Sequence, residues 1–323
     1  MTTTKWKATR ESYGEALAEL GKESGRIVVL DADLSGPTKT NLFASAFPRR
    51  FVDCGIAEAN LMGCAAGMAS CGLIPFASTF AIFAAGRAYE QIRNSIGYPH
   101  LNVKIGATHG GIAVGEDGAT HQCIEDFALM RAIPGMTVVC PADDLEAKAA
   151  VRAAAALEGP VYLRFGRDPV PVIHEKLEDF RLGKGLTLRQ GKDVTIAATG
   201  SLAAPALEAA RLLEARGISA RVLDLHTIKP LDGELLIQAA RETGAIVTAE
   251  DHSVIGGLGS AVCEVLAGVW PVPVLQVGIE DCFGMSGRGS ELYEAYGLTA
   301  ENIAEKCLAT IQLKRPIPSP AVG

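Results

Sequence analysis

Two histidines and two acids stand among glycines in Thr108-His109-Gly110-Gly111 and Gly115-Glu116-Asp117-Gly118-Ala119-Thr120-His121-Gln122. Asp117 and His121, four residues apart, offer hydrogen bonding and proton transfer to one ligand, and glycine lets the backbone approach that ligand closely. The alternative reading is a polar surface loop. Glu58, in Asp53-Cys54-Gly55-Ile56-Ala57-Glu58, opens a helix pattern of Ala, Gly, Met and Leu with few polar neighbours in sequence. It either favours the positive end of a helix dipole or keeps a proton in apolar surroundings, ready to donate a hydrogen bond to a heterocycle nitrogen. Phe80 and Phe83, in Ser78-Thr79-Phe80-Ala81-Ile82-Phe83, lie three residues apart at a helix start. They either pack in a core or stack a flat ring. Arg10 and Arg167 are either solvated charges or bidentate grips for phosphate oxygens.

Helical periodicity over Thr9 to Glu23, Glu58 to Ser70, Ala84 to Ser95, Glu125 to Ala132 and Asp143 to Leu157 alternates with apolar runs. Those runs, at Ile27 to Leu30, Leu73 to Phe76, Val103 to Ala107, Thr137 to Cys140 and Val161 to Phe165, are nearly continuous, as buried parallel strands are. The rhythm predicts an α/β fold. Asp168-Pro169-Val170-Pro171 and the charged stretch Glu175 to Lys192 break it and read as a connection. A second unit follows, with strands at Val194 to Ala198, Ala220 to Asp224 and Ala245 to Ala249, and helices at Ala203 to Ala215, Asp232 to Glu242 and Gly259 to Leu266. The expectation is two domains, 1–175 and 190–323, each a mostly parallel sheet with helices on both faces. Arg315 to Pro320 reads as a loose tail. Gly256-Gly257-Leu258-Gly259 lacks the third glycine of a dinucleotide fingerprint, so close packing of a helix on the sheet is the better account.

The 323 residues, 48% of them apolar, can fill two cores. A formal net charge of -7 gives no bulk attraction for nucleic acid. Six histidines and eight cysteines show no metal-ligand spacing, so no structural zinc site is expected. Cys54, Cys64, Cys71, Cys140 and Cys263 lie in apolar runs and read as reduced, buried thiols. The start Met-Thr-Thr-Thr-Lys-Trp-Lys has no apolar leader core, which points to the cytoplasm. Ala59 to Gly86 carries no charge and is long enough to cross a bilayer, but Gly63, Gly67, Gly72 and Pro75 interrupt it. It reads as two buried elements and not as a membrane span.

Asp53-x-Gly-Ile-x-Glu58, Ser78-Thr79-Phe80, His109, Gly115-Glu116-Asp117-Gly118-x-Thr120-His121-Gln122 and Pro141-Ala142-Asp143 together resemble the pyrimidine-binding domain of transketolases. Asp224-Leu225-His226-Thr227-Ile228-Lys229-Pro230-Leu231-Asp232, Glu250-Asp251-His252 and the GGLG segment resemble the C-terminal transketolase domain. The resemblance implies thiamine diphosphate as cofactor and transfer of a two-carbon ketol unit from a ketose phosphate to an aldose. Glu58 matches the glutamate that bonds the aminopyrimidine ring and promotes deprotonation of the thiazolium. Phe80 and Phe83 match aromatics that hold the pyrimidine, and Asp33 matches an acid near the cofactor. His109 and His121 match histidines that bond sugar oxygens and assist proton transfer, Asp117 the acid that reads a donor hydroxyl, and Arg10 and Arg167 the phosphate-binding arginines. Thr38 stands near the place of a family serine, with a one-residue shift around Pro37.

Three departures stand out. A third pocket aromatic would fall at Gly86, and an acid that often follows the first histidine is Gly110 here. The chain also lacks the Gly-Asp-Gly and downstream Asn by which the family holds Mg²⁺ and diphosphate through oxygen ligands. Full transketolases are about twice this length, so the resemblance implies a C-terminal subunit of a split enzyme. An N-terminal subunit would supply the Gly-Asp-Gly and Asn motif and the Mg²⁺ ligands, and the pair would assemble as a dimer of heterodimers. The rival functions are a deoxyxylulose-phosphate synthase, a 2-oxoacid dehydrogenase β subunit and a non-catalytic regulatory subunit. Ala59-Asn60 stands where the synthases usually carry Gln-His.

Overall fold

The computed structural model describes residues 5–177 and 180–314, and the expected tail at Arg315 to Pro320 lies outside them. Seven strands form the first sheet, in the spatial order Thr227–Lys229, Thr137–Val139, Val161–Arg164, Lys104–Thr108, Ile74–Phe80, Ile27–Asp31 and Phe51–Asp53. All neighbours run parallel except Thr227–Lys229, which pairs antiparallel with Thr137–Val139. The second sheet has the order Val274–Ile279, Ile246–Ser253, Val194–Ala198, Ala220–Asp224 and Leu186–Arg189, parallel except at the last strand. The α/β architecture with helices on both faces is as expected. One strand of the second half completes the edge of the first sheet, which ties the two halves together.

Side chains on a strand alternate between its faces, so a parallel strand covered on both sides is a nearly continuous apolar run. In the first sheet Ile27, Val29, Phe76 and Leu163 pack with Tyr13, Leu17, Ala147 and Val151 of the helices Thr9–Glu23 and Asp144–Ala156. Val28, Leu30, Ala77 and Ile105 point the other way, onto Leu61 and Met62 of the helix Glu58–Ser70 and Phe127 and Met130 of Asp126–Arg131. That second core continues into the C-terminal half through Leu223, Ile246, Leu236 and Val262, while Ile196, Val222 and Val247 face a separate core. One apolar core of the three therefore runs through both halves.

Several expectations need correction. The strand expected at Leu73 to Phe76 runs on to Phe80, so Ser78-Thr79-Phe80 is its end. The helix expected at Ala84 to Ser95 is broken into wide turns at Phe83–Arg87 and Ile92–Gly97 around the short helix Tyr89–Gln91. The proline run at 169–171, read as a connection, pairs antiparallel with Trp6–Ala8, where a short edge ribbon tolerates missing amide donors. The charged stretch after Glu175 contains the edge strand Leu186–Arg189, whose half-exposed residues mask its strand period. Strand Val274–Ile279 and helices Gly289–Ala295 and Ala300–Gln312 add to the second half. All eight cysteines are free, but of the five expected to be buried only Cys140 is, while Cys71 is exposed. Among the described residues no helix is long and apolar enough to cross a membrane.

The GGLG segment does pack tightly. Glu250 accepts from the amides of Leu258 and Gly259, and a Cβ on Gly259 would sit 2.5 Å from Gln276. Gly111 is tighter still, at φ +83 with room for no Cβ, since one would lie 1.9 Å from the Asp251 carboxylate. Gly111→Ala adds a steric clash to a left-handed backbone and is expected to cost at least about 2 kcal/mol. Urea denaturation of the purified chain checks this, and an unchanged midpoint would contradict the packing.

Candidate active site

Parallel strands bring their carboxyl ends to one edge, where α/β folds place ligands. The register aligns Asp31 with both Asp53 and Ser78, Phe80 with Thr108, and Ala107 with Arg164. The segments that leave these strand ends carry Asp33, Glu58, Phe83, His109 and Arg167. Chain topology thus gathers residues spread over more than a hundred positions along one rim.

There the sequence candidates form one connected assembly. His109 stacks on Phe80 with ring centres 3.9 Å apart, and Phe80 stacks on Phe83 at 5.8 Å. His121 meets Phe83 edge-on at 5.5 Å. The Arg87 guanidinium lies 4.6 Å from the Phe83 ring centre, and one of its nitrogens is 3.0 Å from both carboxylate oxygens of Glu58. Glu58 is 1% exposed, whereas half of the Arg87 side chain faces solvent. The apolar setting expected for Glu58 thus has one exception, a cation absent from its sequence neighbourhood. Gly86 is exposed with nearly open space at its Cα, so the place of a third aromatic is unfilled by any side chain of this loop and Arg87 stands beside it.

Arg10 connects this assembly to the phosphate candidates. It donates to the carbonyls of Pro37 and Arg167 and lies 3.4 Å from His109 Nε2. Arg167 donates to the Val114 carbonyl and pairs with Glu116 at 3.3 Å and Asp117 at 4.0 Å. Asp117 and Asp33 are exposed, and Asp33 donates its backbone N–H to Asp53, which also holds the amide of Gly55 before Glu58. Thr38 is spent internally, because its hydroxyl bonds the buried carboxylate of Asp31 at 2.7 Å together with Thr40. The buried acid of Leu30-Asp31-Ala32-Asp33 is therefore Asp31. Burial raises its pKa against the opposing bonds from Thr38, Leu34 and Thr40.

The loop from His109 to His121 does not support itself. Asp251 of the second sheet accepts from the Ile112 amide at 3.0 Å and from the Tyr293 hydroxyl at 3.0 Å. Gln122 donates to the carbonyls of Ile112 and Met285. Arg164, at the end of its strand, donates to the carbonyls of Cys123 and Asp251 and pairs with Asp126 at 3.0 Å. Sequence reasoning missed Arg87, Arg164 and Asp251. Arg164 was discoverable, since an arginine ending an apolar strand is expected to need a buried partner. A separate cavity of about 440 Å³, lined by Trp6, Gly110, Ser201 and Tyr293 among others, lies between the halves, and none of Glu58, Phe80, Phe83, His109 or His121 lines it.

His109 is buried, holds a left-handed backbone at φ +59, and has Nδ1 2.9 Å from the Thr108 hydroxyl. Burial first, then the nearby cations Arg10 and Arg167, push its pKa down to about 3. Strain of this kind in a non-glycine residue clusters at functional positions. An imidazole that stays neutral can accept or donate a hydrogen bond at ordinary pH. Because the folded pKa lies below the unfolded value of about 6.5, the unfolded chain binds the extra proton between those two values. Its contribution to stability therefore falls as pH drops through that window. Ring ¹⁵N signals of His109 are expected not to shift between pH 8 and pH 5, and a midpoint near 6.5 would contradict the geometry.

Residues 5–172 match the family described as transketolase, pyrimidine binding domain, and residues 183–303 the transketolase C-terminal domain. A protein of Methanocaldococcus jannaschii described as a transketolase C-terminal section is 50% identical over 306 residues, covering 94% of this chain and 96% of that one. A 6-deoxy-6-sulfo-D-fructose transketolase subunit of Clostridium sp. (strain MSTE9) is 46% identical over 294 residues, 91% of each chain. Among solved structures, a split gene transketolase described as an inactive beta4 tetramer superposes with a TM-score of 0.90 at 58% identity, over 95% of this chain and 99% of that one. With both domains matched along nearly its whole length, the chain belongs to the transketolase family.

Proposed function

We propose that this chain is the C-terminal half of a thiamine-diphosphate-dependent transketolase that moves a two-carbon ketol unit from a ketose phosphate to an aldose. The observation that carries the reading is the unbroken line of contact from the buried carboxylate of Glu58 through Arg87, Phe83 and Phe80 to His109. A buried acid beside two stacked phenyl rings fits a flat, nitrogen-bearing heterocycle, and the residues present suit the pyrimidine of that cofactor. Thiamine diphosphate, when bound, supplies the carbanion chemistry.

The chain's own residues position and protonate. Glu58 would bond the ring nitrogen through a carboxylate oxygen, beside the half-exposed Arg87. Phe80 and Phe83 hold the ring, and Asp33 stands at the rim near the cofactor. Neutral His109 and the more open His121 bond sugar oxygens and pass protons, with Asp117 reading a donor hydroxyl. Arg10 and Arg167 grip the terminal oxyanion. A sulfonate and a phosphate are both tetrahedral oxyanions, so this arginine pair serves either, consistent with a sulfo-sugar enzyme among the relatives. Mg²⁺ and the diphosphate fall to an N-terminal subunit that carries the Gly-Asp-Gly and Asn motif, in a dimer of heterodimers.

Reconstitution with that partner tests the reading. Ketose phosphate and an aldose acceptor should turn over, and turnover that instead requires pyruvate would overturn the assignment. Glu58→Ala should lower kcat by about 10²-fold or more with assembly intact, as loss of a proton-handling group does. Unchanged activity would favour a non-catalytic subunit. Arg167→Ala should raise KM for the phosphosugar by about 10- to 100-fold with a smaller change in kcat, since it removes a charged hydrogen bond common to ground and transition states.

A further inference from the structure

Away from these residues, Glu146, His174 and Asp224 meet from three segments. Glu146 lies in the helix Asp144–Ala156 of the first half, His174 in the chain after Pro169–Pro171, and Asp224 at the end of strand Ala220–Asp224 in the second half. All three are buried, with exposures of 0%, 8% and 0%. One donor atom from each lies within 4.8 Å of the others, and His174 Nε2 is 3.5 Å from Asp224 Oδ2. Glu146 Oε1, His174 Nε2 and both oxygens of Asp224 have no hydrogen-bond partner, although buried polar atoms normally find one.

The neighbouring acid explains how the imidazole is aimed. Asp143 Oδ2 accepts from the amides of Ile173 and His174, each at 2.8 Å, and lies 3.0 Å from His174 Nδ1. Its other oxygen accepts from the Glu146 amide at 2.9 Å. Asp143 is thus satisfied, and in the neutral tautomer with the proton on Nδ1 the Nε2 lone pair faces Glu146 and Asp224. A carboxylate behind a histidine that faces further ligands is the usual support of a metal-bound imidazole.

We propose that Glu146, His174 and Asp224 bind one divalent transition-metal ion, zinc by ligand chemistry, which joins the two domains at their junction. One imidazole nitrogen and two carboxylates leave a fourth position for water, a set that zinc accepts, whereas Ca²⁺ and Mg²⁺ prefer six or more oxygens. A 2+ ion neutralises the two buried carboxylates together. The ligands come from positions 146, 174 and 224, so no local spacing could reveal them. The site stands apart from the thiamine reading and does not depend on it.

The experiment is metal analysis of the untagged full chain, purified without chelator. Wild type is expected to retain about one zinc per chain, and His174→Gln and Asp224→Asn to lose it with their circular dichroism unchanged. Chelator-stripped wild type should regain zinc with a rise in Tm, and Co²⁺ in its place should give visible ligand-field bands without a thiolate charge-transfer band. The proposal is overturned if purified wild type holds less than about 0.1 zinc per chain and stripped protein shows no Tm rise on adding Zn²⁺. It is equally overturned if both variants retain zinc undiminished, or if the cobalt spectrum shows thiolate ligation by the cysteines.

Discussion

The structure depends most on the buried guanidinium of Arg164. It is 4% exposed, pairs with Asp126, lies over the Phe127 ring, and donates to the carbonyls of Cys123 in the first half and Asp251 in the second. A charge so deep is tolerated because it is paired, and removing one member of such a pair typically costs about 3–5 kcal/mol. The Asp126 and Asp251 charges and the thiols around Arg164 outweigh its desolvation and hold its pKa above the ordinary value. The same side chain fills the space beside Gly110, where a Cβ would come within 2.2 Å of Nε. The glycines after His109 are therefore required by a packed arginine and by Asp251 as much as by any ligand.

This arrangement braces a rim that is made of loops. The shared apolar core runs from the first sheet into helices of the second half, and Asp251 and Gln122 fasten the His109 to His121 loop to the C-terminal half. A site mounted on parallel strand ends of one domain and clamped by another keeps its rings and carboxylates in register. The Glu58–Arg87 pair is the looser element, because one partner is fully buried and the other half-exposed.

Much of the scaffold was legible because local periodicity reports burial on the strand and helix faces. The helices Thr9–Glu23 and Glu58–Ser70 and the strands Val194–Ala198 and Ala220–Asp224 lie where the pattern places them. The edge strands Phe51–Asp53, Leu186–Arg189 and Thr227–Lys229 did not show, since an edge strand is short or half-exposed and its partner is chosen by long-range pairing. Cys71 misled for a related reason, because an apolar neighbourhood in sequence does not decide which way a helix end faces.

For the rim, residue types and order put forward Glu58, Phe80, Phe83, His109, His121 and the two arginines as candidates, and family membership followed from the same motifs. Tertiary structure decided what surrounds them. It set Arg87 on Glu58, buried Asp31 in preference to Asp33, spent Thr38 on that acid and lowered the His109 pKa by burial beside Arg10. It also brought Glu146, His174 and Asp224 together across the domain junction. Sequence carries chemistry and local period, because both reside in neighbouring residues. Partners, burial and charge compensation depend on segments that only folding makes adjacent.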